Sequence, residues 1–207
     1  MRRHIMRGLV VLATIAVMAA CSGNGSSDPS PRSSPHNEVD VRFATAMVLH
    51  HDQAIEMTRM AISQAKSGRV INLAEQIEGD QGREVDTMRG WCRTWKQPVP
   101  EMPRSSMPGM TSMPRMPAMP RMPGVKHNMI GMMSDGDMHT LGSASGSQFD
   151  TLWLAMMIKH HQGAITMANA ELDRGRNEPA KTLARHVIET QQTEIDTMHA
   201  LLTRLTN

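Results

Sequence analysis

Aromatic side chains are scarce in this sequence of 207 residues, which has no tyrosine, two phenylalanines and three tryptophans. Proteins that stack nucleobases need such rings beside a basic surface. The formal charge is only +2. Three arginines and no acidic residue lie in the first twenty positions, so the remainder carries a formal charge of −1. We therefore expect no nucleic acid as a partner.

The chain also has few cysteines, and its apolar run at residues 8–20 is too short to cross a bilayer. This run follows basic residues and ends in small ones before Cys21, which is typical of a signal peptide at residues 1–20. Residues 18–21 resemble a bacterial lipobox. We predict that Cys21 is lipidated and anchors the protein to the extracytoplasmic face of the cell membrane. The alternative is an ordinary cleaved signal that contains a cysteine.

Residues 21–36 are rich in Ser, Gly and Pro, which predicts a flexible linker behind the lipid anchor. Once Cys21 carries a lipid, Cys92 is the one remaining thiol and cannot close an intrachain disulfide. Stability must then come from a helical core, in which we expect Cys92 to be buried.

An internal repeat with an offset of 110 positions is the most informative feature of the chain. Residues 43–57 match residues 153–167, and the match continues from 81–88 to 191–198. Such a duplication decides the architecture. We assign repeat one to residues 39–95 and repeat two to residues 149–205, within a duplicated domain at residues 37–207.

Each repeat has the periodicity of two helices, interrupted at Ser67 and Gly68 in repeat one and near Gly175 in repeat two. Two helical hairpins predict an all-α four-helix bundle. A long Met/Pro-rich crossover at residues 98–130 joins the repeats. We expect a short helix, capped by Ser134, ahead of repeat two.

Paired histidines occur at the same place in both repeats, on the helix face that should be buried. A methionine lies three residues before each pair and another six residues after it. Imidazole suits Cu(II) or Zn(II), and thioethers add a preference for Cu(I), so the pattern favours metal ligands. The candidate ligands are His50, His51, His160, His161, Met47, Met57, Met157 and Met167.

Two acidic residues on the second helix of each repeat, Glu84 and Glu194, are candidates to accept an imidazole N–H and set its tautomer. Copper binding should weaken as the histidines protonate near their reference pKa of about 6.5. The alternative is a metal-free interaction module in which the histidine pairs are structural.

Methionine recurs at every third position of the crossover. Proline excludes a helix there, and polyproline II has three residues per turn, which would align the thioethers along one edge. We interpret them as a labile Cu(I) array, with a spacer or an oxidant sink as alternatives. The array comprises Met107, Met110, Met113, Met116, Met119 and Met122.

No motif in the sequence requires catalysis, although none excludes it. The chain lacks the Glu-x-x-His of di-iron bundles and the His-Glu-x-x-His of zinc hydrolases. It also has no Gly-rich phosphate loop. The oligomeric state is left open.

The two histidine motifs, with QGREVDTM and QQTEIDTM after them and GMMSDGDM before the second, resemble the domain of unknown function numbered 305. The resemblance extends over about residues 37–205. It implies a ferritin-like four-helix fold, an extracytoplasmic location and, in some members, copper binding linked to copper tolerance. The paired histidines and their flanking methionines are the shared positions. We therefore expect a copper-binding or copper-sequestering lipoprotein.

Overall fold

The structure is a computed structural model that describes residues 35–101 and 129–206. Cys21, the predicted signal peptide and the six methionines of the crossover lie outside the described residues, so these assignments stay predictions.

The described residues form five helices. They are α1 (Glu38–Gln64), α2 (Gly68–Thr94), α3 (Asp135–Ser143), α4 (Gly146–Arg174) and α5 (Glu178–Thr206). Helix α1 begins where the Asn37 side chain accepts hydrogen bonds from the first-turn N–H groups, and α3 begins with a capping box at Ser134. The predicted all-α architecture of two helical hairpins in a bundle is confirmed.

The two hairpins, α1 with α2 and α4 with α5, pack against each other through α1 and α4. Helices α1 and α4 are antiparallel. The indole Nε1 of Trp153 donates a hydrogen bond of 2.9 Å to the Met57 carbonyl, and the Asn37 side chain donates one of 2.9 Å to the Arg174 carbonyl. A residue of α1 therefore lies level with the residue of α4 for which the two residue numbers sum to about 210.

A buried aspartate on the first helix of each repeat fastens the turn of the other repeat. Asp40 accepts hydrogen bonds of 2.9 and 2.8 Å from the N–H groups of Arg176 and Asn177. Asp150 does the same, at 2.9 Å each, for Lys66 and Ser67. The joint effect of the two aspartates is a reciprocal clasp between the hairpins.

The loop at residues 129–134, which leads into α3, lies on the face shared by α1 and α4. The Gln53 side chain both donates to the Met133 carbonyl and accepts from its N–H, at 2.9 and 2.8 Å. Gly131 has a positive φ of 86°, and a Cβ on Gly163 of α4 would lie 2.1 Å from the Ile130 carbonyl oxygen. The absence of a side chain at Gly163 is therefore what lets this loop touch α4.

Among the described helices, none is both long and apolar enough to cross a membrane.

Candidate metal centre

All four predicted histidines lie in the core with no exposed surface, where α1 and α4 cross. The ring centroids of His50 and His51 are 6.4 Å apart at an interplanar angle of 57°, and those of His160 and His161 have the same values. The His50 and His160 centroids are 3.8 Å apart. The structure thus brings the two pairs together as one histidine layer. The inner rings, His50 and His160, are in contact, and His51 and His161 are the outer rings.

The outer ring of each pair meets a carboxylate. His51 Nε2 lies 2.7 Å from Glu84 Oε2, and His161 Nε2 lies 2.8 Å from Glu194 Oε2. A carboxylate can only accept, so Nε2 carries the proton in both rings. Nδ1 of each ring then has a lone pair, and neither Nδ1 has a hydrogen-bond partner. The contacts place Glu84 and Glu194 where an orienting group for a metal-binding imidazole would lie.

The two inner rings differ because the loop at residues 129–134 reaches only one of them. His50 Nε2 donates to the Ile130 carbonyl at 3.2 Å, which leaves its Nδ1 unpaired. His160 has no hydrogen-bond partner at either ring nitrogen. The centre therefore contains five buried imidazole nitrogens without a partner.

Both inner rings are neutral at physiological pH. Burial lowers the pKa of His50 to about 3, with a smaller contribution from repulsion by His51. Burial and the neighbouring His50 also lower the pKa of His160 well below its usual value. For these two rings the expected onset of protonation near pH 6.5 is wrong, because the sequence alone does not reveal how completely the pair is desolvated.

The flanking methionines divide into near and far members. Met47 and Met157 are fully buried and lie three residues, or about 4.5 Å along the axis, from His50 and His160. Met57, which is buried, and Met167, which is half-buried, lie seven residues from the same rings, or about 10 Å along the axis. Met47 and Met157 are therefore better placed to share an ion with the inner histidines.

Two buried glutamines also belong to the polar layer, although sequence reasoning assigned them no role. Gln81 and Gln191 are at equivalent positions in the repeats, and both are about 2% exposed. Their amide nitrogens and oxygens have no hydrogen-bond partner. Each lies one turn before the glutamate that holds an outer histidine, on the same helix face. The sequence signal that could have identified these glutamines is their repetition at the offset of 110.

In the conformation described for residues 35–101 and 129–206, no three His, Cys, Asp or Glu side chains are arranged to hold a metal ion. Cys92 is buried as expected, and burial raises the pKa of its thiol. Met132 and Met133 are also buried, and Met133 belongs to the core cluster. A metal at the histidine layer would thus need the rings to move, and the neighbouring thioethers could supply further ligands.

The fold and this layer define a class of duplicated helical bundles with a buried His/Met centre. Residues 40–202 match the profile of the domain of unknown function DUF305, and the chain belongs to that family. A comparison with curated protein sequences gives no significant match.

Solved structures of DUF305 proteins share the fold. A protein from Streptomyces coelicolor is 31% identical, with 81% of this chain and 92% of that chain covered and a TM-score of 0.66. A fragment from Deinococcus radiodurans is 28% identical, with 82% and 99% covered and a TM-score of 0.66. CopM in its Cu(I)-bound form is 25% identical, with 81% and 98% covered and a TM-score of 0.61. CopM has also been solved with Cu(II) and with silver.

Proposed function

We propose that this protein binds and sequesters copper ions at the histidine layer between α1 and α4. The observation that carries the proposal is the set of five buried imidazole nitrogens without hydrogen-bond partners. An unsatisfied buried polar group costs about 1–3 kcal/mol. Ligation of a metal would compensate that cost. An apolar side chain at the same position would avoid the cost altogether, so a histidine there is better explained by a ligand role than by packing.

The ligand chemistry favours copper over other ions. Neutral imidazoles suit an ion that arrives as Cu(II), and the thioethers of Met47 and Met157 suit one that arrives as Cu(I). The similar protein CopM binds both oxidation states and also silver, another soft ion. The proposed ligands are His50, His51, His160, His161, Met47 and Met157, with Met57 and Met167 as more distant thioethers and Glu84 and Glu194 as orienting groups.

The proposed setting is the extracytoplasmic face of the membrane, with a lipid on Cys21. The hydrophobic segment before Cys21 supports this placement, and the similar Streptomyces coelicolor protein is inferred to be secreted. Methionine is a suitable soft ligand outside the cytoplasm because it forms no disulfide. Cys21→Ala should release the protein from the membrane fraction. Unchanged partitioning would exclude Cys21 as the anchor.

The central test measures Cu(I) and Cu(II) binding to the chain and to a variant with all four layer histidines changed to Ala. We expect the tight component to disappear. The matched control changes the exposed His199 to Ala and should bind as the parent does. Equal copper binding by the quadruple variant and the parent would favour the metal-free interaction module, in which the contact between the inner rings is simply core packing.

The methionine array of the crossover is proposed as a second, weaker store of Cu(I). Its thioethers are uncharged, and ordering a polyproline segment around each ion would reduce the affinity. Deletion of residues 102–122 should lower the number of Cu(I) equivalents bound but leave the tight component intact. An unchanged capacity would identify the segment as a spacer.

A further inference from the structure

One outer histidine is connected to the protein surface and its counterpart is not. Glu84 Oε2 holds His51, while Glu84 Oε1 lies 3.9 Å from Nε2 of His186 on α5. The His186 side chain is 61% exposed, whereas that of Glu84 is 9% exposed. The three side chains thus form a polar path from solvent to the histidine layer, with one hydrogen bond at His51 and a wider gap between Glu84 and His186.

The equivalent path is interrupted in the other half of the molecule. An offset of 110 relates His186 to Gln76, and Glu84 to Glu194. A glutamine cannot supply an imidazole ligand at the surface. Among the described residues, Glu194 forms its ion pair with His161. Both repeats therefore have the contact between a buried histidine and a glutamate, but a surface histidine lies beside that glutamate in one of them.

The path opens into a surface cavity of about 210 Å³ between α2 and α5. Its walls include Asp80, Arg83, Thr87 and Leu183, together with Glu84 and His186. Two carboxylates and one guanidinium give this groove a net negative charge when His186 is neutral, which attracts cations. Gln81, one turn before Glu84 on α2, adds a buried amide without a partner.

We propose that this groove is the entry site for Cu(II), where His186 and Glu84 bind the ion before it passes to His51. The proposal rests on the copper-binding function proposed above. Imidazole and carboxylate with water are suitable ligands for Cu(II), whereas the thioethers deeper in the bundle favour Cu(I). Glu84 can serve both stages because Oε1 faces His186, while Oε2 keeps the Nε2–H of His51 and so leaves the unpaired Nδ1 of that ring to receive the ion. No change of oxidation state is part of this step.

The test is the rate at which the full chain takes up Cu(II), added as copper chloride in a stopped-flow instrument. Quenching of tryptophan fluorescence reports loading, since the buried Trp153 lies seven residues, about 10 Å, from His160 on α4. We expect His186→Gln to slow loading about tenfold with the same final stoichiometry. The matched control, His199→Gln, removes an exposed histidine from the same helix and should load at the parent rate.

A gain of function separates entry from mere surface binding. Gln76→His in the His186→Gln background should restore fast loading, because the offset of 110 gives position 76 the place relative to Glu194 that His186 has relative to Glu84. If His186→Gln loads as fast as the parent, the entry proposal is wrong. If it instead loses one equivalent with no change in rate, His186 belongs to an independent surface site and the proposal is also wrong. A parent chain that takes up no Cu(II) would refute the proposed function itself.

Discussion

The two repeats share the same clasp at each end of the bundle, and they differ most in how the loop at residues 129–134 meets its middle. Asp40 and Asp150 fasten the opposite turns with the same pairs of backbone N–H groups. At the middle, Gln53 of α1 forms hydrogen bonds with the loop at residues 129–134. The equivalent residue of α4, Gly163, has no side chain and lets the same loop approach the helix. The duplicated contacts hold the hairpins together, and the diverged ones make the two inner histidines chemically unequal.

The difference shows how a symmetric scaffold acquires an asymmetric centre. Only one loop links the repeats, so it can cover the histidine layer from one side alone. His50 gains a hydrogen bond from this cover, and His160 does not. Repeat two also carries a buried acid, Glu171, where repeat one has Ala61. Substitutions at these positions test the comparison.

The largest effect is expected for Gly163→Ala. The new Cβ would lie 2.1 Å from the Ile130 carbonyl oxygen and 2.7 Å from the Gly131 Cα, and neither backbone can yield without moving the loop. We expect a net loss of about 3 kcal/mol in the free energy of unfolding, together with faster amide exchange at residues 130–133. Denaturant unfolding and hydrogen exchange measure both.

Gly82→Ala is the matched control for that variant, since its Cβ meets nothing within 4 Å. It should stabilise α2 by up to about 1 kcal/mol through helix propensity. A similar result for both glycines would contradict the close packing of the loop on α4.

The next effect concerns the reciprocal clasp. Asp150→Ala removes two charge-assisted hydrogen bonds to the α1 to α2 turn and should cost about 2–3 kcal/mol. Asp40→Ala should cost more, because the Asp40 carboxylate also stabilises the protonated Glu171 beside it. Thermal unfolding measures both variants, and the exposed Asp196→Ala is the control. Equal costs for the two aspartates would argue against coupling between Asp40 and Glu171.

Glu171 should give repeat two a pH-dependent stability. Burial, with Asp40 nearby, raises the pKa of its carboxyl to about 8. The folded state therefore holds a proton that the unfolded state releases above its ordinary pKa of about 4.5, so stability is complete below that pH and falls as the pH rises towards 8. We expect a loss on the order of 2 kcal/mol between pH 5 and pH 8.

Glu171→Gln should remove most of that slope and be more stable than the parent at pH 8, because the amide resembles the protonated acid. Urea unfolding at pH 5, 6.5 and 8 makes the measurement. The exposed Glu189→Gln should keep the parent slope. A slope that persists in Glu171→Gln would assign the pH dependence to other groups.

The smallest effect compares the two inner histidines in the metal-free protein. His160→Leu removes a ring whose nitrogens are both unpaired and should be neutral or stabilising by about 1 kcal/mol. His50→Leu also removes the hydrogen bond to Ile130 and leaves that carbonyl without its partner, so it should be less stable than His160→Leu. Calorimetry in a chelating buffer compares them. Identical stabilities would mean that the loop does not distinguish the two rings.

Much of the fold could be predicted because it depends on local and repeated patterns. Asn37, Ser134 and the interruptions near Gly68 and Gly175 mark helix ends through hydrogen bonding and backbone preference, which act over a few residues. The offset of 110 then predicted that equivalent histidines would face the same core. Glu84 and Glu194 were also predicted to accept an imidazole N–H, and each contacts the outer histidine of its own repeat.

Other parts of the site depend on which surfaces meet. The sequence places Asp40 in a first turn, but it carries no direct record that the carboxylate reaches residues 176 and 177. The loop at residues 129–134 has no periodic pattern in the sequence. Its position over His50 depends on the hydrogen bonds with Gln53 and on the absence of a side chain at Gly163. The pKa of His50 is likewise a property of the assembled core, because desolvation requires α1, α4 and the loop together.

By itself the sequence determined the duplication, the helices, the caps at Asn37 and Ser134, and the burial of the paired histidines, because helix periodicity and turn chemistry act over short distances along the chain. The tertiary structure alone decided that the clasp is reciprocal, that the loop at residues 129–134 reaches His50 and not His160, and that a polar path reaches solvent through His186. Those features arise where antiparallel helices and one loop meet. Their register is set by packing and by the few buried hydrogen bonds that the assembled bundle can satisfy.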